Sequence, residues 1–176
     1  MSRKVQLNVT ELDRTRATKV TDEYKDIKYL VVGKWGLIDD GFDIYSKENE
    51  VLAQVKQRSL GTTPRFDLFY YDNFVGSSVV HFSLYFVTIY INGLNWIVTG
   101  SAKKQFFTIH RGGHKIAEIK SYNESDKGVR IIDTTRTVNE PLVIAIAAIL
   151  NHPSLVHLSK LRVKKLQPYR KIEPNN

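Results

Sequence analysis

Cysteine is absent from all 176 residues. That absence removes disulfides, thiolate metal sites, thiol catalysis and S-acylation together, and it points to a reducing compartment. The opening stretch, MSRKVQLNVTELDR, lacks the apolar core of a secretory signal, and Ser2 stands where N-myristoylation needs glycine. A cytoplasmic location is therefore expected. There is no G-x-S-x-G elbow, no Walker-type loop and no G-x-G-x-x-G phosphate cradle. Long apolar runs are scarce too. The longest, PLVIAIAAIL (141–150), would make a helix of about 15 Å, half the roughly 30 Å of a bilayer core. Extending it brings in Asn151, His152, Pro153, Ser154 and His157, so a spanning helix is not expected.

What is present in excess is positive charge: 26 Lys and Arg face 18 Asp and Glu, a net +8. It is unevenly placed. Between Leu158 and Asn176 stand Lys160, Arg162, Lys164, Lys165, Arg170 and Lys171 against the single acid Glu173. Such a tail is either a solvated, solubilising segment or a contact for phosphates. At about 1 kcal/mol for each cation near anionic lipid, it supplies on the order of 5 kcal/mol, a sub-millimolar and reversible attachment.

From Tyr29 onward the chain reads as short β-type segments, rich in branched and aromatic residues and separated by turn formers. They fall at 29–34, 42–46, 50–57, 65–71, 75–82, 84–91, 94–100, 105–110, 114–121 and 128–133. Asn92-Gly93 is the strongest hairpin signal, for a type I′ turn needs positive φ at both central residues. Arg111-Gly112-Gly113 and Lys47-Glu48-Asn49 read as slightly longer loops. Two segments share a pattern, FDIYSKENEVLAQVK (42–56) and FTIHRGGHKIAEIK (107–120). Alternation places Ala53 and Val55, like Ala117 and Ile119, on one face, with Gln54, Lys56, Glu118 and Lys120 on the other. Many short antiparallel strands at this spacing predict a barrel or sandwich. Residues 1–28, polar and mixed in charge, read as an extension holding at most a short strand at Val5–Val9.

The apolar run 140–152 carries helix chemistry at both ends. Thr137-x-x-Glu140 fits a capping box, Asn139 is an alternative cap, and His152-Pro153 marks the stop. A helix of about 139–152 with no polar face must be surrounded on all sides.

A largely β-stranded body followed by one wholly apolar helix resembles the tubby C-terminal-like superfamily, and within it the bacterial relatives of the plant LURP-one-related proteins. The resemblance rests on YLVVGKWGLIDDGFDIYSKENEVLAQVKQRSLGTTPRFDLFYYD (29–72), FFTIHRGGHKIAEIKS (106–121) and EPLVIAIAAILNH (140–152). It implies a mainly β fold: a closed antiparallel barrel of about twelve strands around one central hydrophobic helix. The domain would span 29–158, with 1–28 and the basic tail 159–176 outside it. Gly36–Asp39 or Val5–Val9 could supply the two strands missing from the count. The resemblance also implies non-enzymatic roles, since tubby proteins bind phosphoinositide head groups and related scramblases act at membranes. No residue here matches the tubby basic site.

The residues themselves offer no catalytic constellation. His110 and His114 bracket a turn without a third metal ligand; His81, His152 and His157 read as packing or capping residues. Asp39, Asp40 and Asp43 lack calcium-loop spacing and read as turn formers. No metal or cofactor is expected. Phe66, Phe69, Tyr70, Tyr71, Phe74, Phe82, Tyr85, Phe86 and Tyr90 could stack on bases, but barrel packing is the preferred account and nucleic acid is not an expected partner. The expectation is a binding domain whose ligand residues are Lys160, Arg162, Lys164, Lys165, Arg170 and Lys171, meeting anionic membrane lipid peripherally. The alternative is a protein-interaction or scaffold module that uses residues 1–28 and the barrel surface.

Overall fold

Strands of alternating burial make up most of the residues described by the computed structural model, which are 2–61, 63–82, 86–122, 128–135 and 140–156. In chain order they are β1 (Arg3–Asn8), β2 (Ala17–Asp22), β3 (Ile27–Gly33), β4 (Gly41–Tyr45), β5 (Val51–Gln57) and β6 (Phe66–Tyr70). There follow β7 (Asn73–Phe82), β8 (Val87–Asn92), β9 (Trp96–Ser101), β10 (Phe106–Arg111), β11 (His114–Ser121) and β12 (Val129–Thr134). Helix α1 (Val9–Thr15) lies between β1 and β2, and α2 (Glu140–Leu150) follows β12. Each strand pairs antiparallel with its sequence neighbours, and β12 pairs with β1 from Arg3↔Thr134 to Asn8↔Val129. The sheet is thus a closed twelve-stranded barrel without an edge.

Closure corrects the domain boundary expected at residue 28. The supposed extension supplies β1, α1 and β2, two staves and their connection. Val5, Leu7 and Val20 are fully buried, while Lys4 and Lys19 face solvent. The polar outward positions dominate the composition and conceal a period of two. Asn8 starts α1, its Oδ1 accepting from the Glu11 amide at 2.9 Å, and Arg16 ends it at φ 62°. Gly36–Asp39 supplies no strand; it is a turn in which Asp40 accepts from the Leu37 amide at 2.9 Å.

All eleven residues of α2 are buried. The helix packs against β12 on one arc of the ring and β4, β5 and β6 on the facing arc, so it lies inside the barrel. Ala145, Ala147 and Ala148 keep it slim. Thr137 and Asn139, the expected caps, lie outside the described residues. Glu140 does something else at the helix start. Its Oε2 accepts from Thr134 Oγ1 at 3.1 Å, and its Oε1 stands 3.5 Å from Arg3 Nε.

Two hairpin expectations change places. The type I′ pattern belongs to Gly112 (φ 53°) and Gly113 (φ 82°), between paired Arg111 and His114. The Asn92-Gly93 connection runs on to Asn95, with positive φ at Gly93 and Asn95. The shared pattern of 42–56 and 107–120 is structural. Ile44↔Ala53 and Phe42↔Val55 repeat as Ile109↔Ala117 and Phe107↔Ile119, each with a register shift after the isoleucine. These hairpins lie six staves apart in a ring of twelve.

Candidate functional site

An antiparallel barrel sends alternate connections to opposite rims. The entry rim, where β1 begins and α2 enters, carries 23–26, 46–50, 71–72, 93–95 and 112–113. The exit rim, where α2 ends, carries α1, the connections 34–40 and 102–105, and the described residues 58–61, 63–65, 86, 122 and 128 of three further connections.

The rims differ in charge. Among the described residues, the entry-rim connections hold Lys25 and Lys47 against Glu23, Asp26, Glu48, Glu50 and Asp72. The described exit-rim residues hold Arg14, Arg16, Lys34, Arg58, Arg65, Lys103 and Lys104, all exposed, against Glu11, Asp13, Asp39 and Asp40. Pairing sharpens the difference. Arg58 binds Asp39 and also Asp67, the latter at 2.7 Å, while Lys34 stands 3.9 Å from Asp40. Asp13 accepts from Asn151 at 3.0 Å, and burial pushes its carboxyl up. Arg14, Arg16, Arg65, Lys103 and Lys104 have no ion pair among the described residues.

The exit rim also exposes apolar side chains. Leu37 (65%), Ile38 (55%) and Leu60 (57%) project from adjoining connections, and Phe86, Phe106 and Tyr122 stand exposed farther round. By the same measure the entry rim exposes Tyr24 and Tyr71 in its connections and Ile27 and Phe74 at the starts of β3 and β7, but no exposed aliphatic pair like Leu37 and Ile38 among the described residues.

Beneath Leu37, Ile38 and Leu60 lies a joint between the barrel wall and the end of α2. Trp35 meets Phe42, Phe66 and His152 edge-on, with ring centroids 4.8, 5.0 and 5.2 Å away. The Ser154 amide donates to His152 Nδ1 at 3.2 Å, which leaves Nε2–H to face Gln57 Oε1 at 3.3 Å. Gln57 donates its side-chain amide to Ser59 O at 3.0 Å, and its backbone makes two 2.8 Å bonds with the 39–40 turn. Burial holds the His152 imidazole down at about 4, so it is neutral near pH 7. His152 thus packs and caps, as its place before Pro153 suggests. Ser154 Oγ donates to Gly61 O at 3.2 Å, which ties the departing chain to the connection that carries Leu60.

The six cations expected to bind ligand, Lys160, Arg162, Lys164, Lys165, Arg170 and Lys171, lie outside the described residues, as does His157. Val156, the last described residue, lies at the exit rim. The exit-rim cations and aliphatics were missed in the sequence because they are scattered through separate connections. Only the alternation of antiparallel staves gathers them.

Other expectations resolve individually. Asp40 is a turn acceptor, but Asp43 belongs to β4 and accepts from Gln54 at 2.8 Å. Barrel packing accounts for Phe66, which is fully buried, but not for Tyr71, Phe74 and Phe86, which are exposed. Phe69 lies on the outer wall against Phe74, with Lys56 Nζ 5.3 Å from its ring centroid. Tyr85 and the side chain of Phe82 lie outside the described residues. His110 and His114 flank the Gly112-Gly113 turn, and no three His, Cys, Asp or Glu among the described residues could together hold a metal.

The molecule is therefore a closed antiparallel barrel with a buried helix and one basic, apolar rim. No family profile matches the chain, and no curated protein does. It is similar in fold to the X-ray structure of the protein AT5G01750 from Arabidopsis thaliana. That likeness has a TM-score of 0.59 at 10% identity and covers 85% of this chain and 90% of the other. No helix among the described residues is long and apolar enough to cross a membrane.

Proposed function

We propose that this chain is a non-enzymatic, cytoplasmic member of the tubby-like superfamily that attaches peripherally to anionic phospholipid surfaces. The fold of the Arabidopsis protein supports the first part as a matter of architecture. The observation that carries the second is the charge difference between the rims. The last described residue, Val156, lies at the rim where Arg14, Arg16, Arg65, Lys103 and Lys104 stand exposed, and the cations of 159–176 would add to theirs. Fixed and tail cations together raise the local potential more than either does alone. Co-sedimentation with vesicles tests the reading. Recovery with anionic vesicles should exceed recovery with neutral ones and should fall when 159–176 is deleted. Equal recovery with both vesicle types would sink it.

A protein partner is the second reading, favoured by the outer-wall aromatics Phe69 and Phe74 with Lys56 beside them. Residues 1–28 do not serve it as a docking arm, since β1 and β2 are staves. Partners captured by the wild type and lost by Phe74→Ser would support this reading; identical sets would count against it.

A further inference from the structure

The geometry points to a defined membrane pose: Leu37, Ile38 and Leu60 enter the acyl boundary, and the entry rim faces away from the bilayer. The inference rests on the phospholipid reading and adds a hydrophobic anchor to it. Leu37 and Ile38 are adjacent and exposed at the tip of the 34–40 connection, with Leu60 in the next connection on the same rim.

These side chains are exposed on a built turn. Lys34 N donates to Gly41 O at 2.9 Å, Asp39 N to Gln57 O at 2.8 Å, and Asp40 N to Leu37 O at 3.2 Å. The Leu37 amide is held by Asp40 Oδ2 at 2.9 Å. The turn backbone thus satisfies part of its own polar demand, which limits the cost of shallow insertion. Arg58 bridges the two connections through Asp39, so they present their aliphatics together.

The aliphatics share their rim with exposed cations, as an anionic interface requires. Arg65 stands in the connection that carries Leu60, and Lys103 and Lys104 stand on the opposite arc of the same rim, where an anionic interface would meet all of them. The acidic entry-rim connections disfavour the opposite pose.

The absence of cysteine provides a clean test. Ile38→Cys and Tyr24→Cys place single thiols at exposed sites on the exit and entry rims, each to be labelled with an environment-sensitive fluorophore. With anionic phosphatidylserine-containing vesicles, the dye at 38 should shift to the blue and brighten, while the dye at 24 should not. In unlabelled protein, Leu37→Ser with Leu60→Ser should lower the binding that survives about 1 M salt, where the screening length is about 3 Å. The expected loss is about tenfold or more. Binding that salt fully reverses, with no change in the dye at 38, overturns the insertion and leaves the phospholipid reading standing. A shift at 24 rather than 38 overturns the pose. No binding to anionic vesicles at low salt overturns both.

Discussion

The two rims of this barrel close the same twelve staves and solve different problems. The entry rim encloses a carboxyl group. Glu140 is fully enclosed, with Arg3 at 3.5 Å and Thr134 donating to it, and its carboxylate helps burial to push the Tyr29 hydroxyl up. The exit rim leaves most of its cations in solvent, buries Arg130 against Gln105 and Ser121, and closes its interior with rings, Trp35 against Phe42, Phe66 and His152. The contrast teaches that the enclosed Glu140 is held for the fold at one rim, while the other leaves several cations and aliphatics exposed.

Since α2 runs from one rim to the other, the largest effect should come from its middle. Ile146→Asp sets an unpaired charge where nothing is exposed, at a cost of about 4 kcal/mol or more. Circular dichroism should show an unfolded chain; an unchanged melting temperature would mean that α2 is not enclosed. Next comes the entry rim alone. Arg3→Ala strips Glu140 of its cation and should cost about 3 kcal/mol, read as a lower urea midpoint, while vesicle binding by the folded fraction stays unchanged. A binding loss equal to that of an exit-rim variant would erase the distinction between the rims.

Acid should act on the exit rim through His152. Its folded value of about 4 lies below the ordinary 6.5, so between them the unfolded chain holds the extra proton. The stabilisation is complete above pH 6.5, declines as pH falls toward 4, and amounts to at most about 3 kcal/mol. His152→Phe should flatten that part of the urea-midpoint profile; an equally steep variant would assign the loss to other groups. The smallest effect concerns binding only. Lys103→Ala with Lys104→Ala should weaken attachment to anionic vesicles by about 2 kcal/mol, roughly thirtyfold, with no change in melting temperature. Glu48→Ala on the entry rim should change neither, and an equal loss from it would dissolve the comparison.

Much of the barrel was legible. The ten segments read between 29 and 133 correspond to β3 through β12, because Ala53 and Val55, like Ala117 and Ile119, alternate with polar neighbours. RKVQLN showed only as the short strand read at Val5–Val9, and ATKVTD was not legible as a strand, since each buries only a few small or branched side chains among outward-facing polar ones. Their pairing is also non-local: β1 meets β12 more than a hundred residues away, and no short-range pattern announces such a partner. The exposed Leu37, Ile38 and Leu60 were hidden for a related reason, since an apolar residue in a sequence carries no mark of which way it faces.

By itself the sequence determined the β periodicity, the enclosed character of 141–150, and the excess of cations in the tail. These are local matters, set by side-chain alternation, apolar composition and charge along one stretch of chain. Only the tertiary structure decided that residues 3–22 complete the wall and that one rim is basic and apolar while the other is acidic. Both depend on closure, because antiparallel pairing around a ring assigns each connection to a side and brings together residues that are distant along the chain.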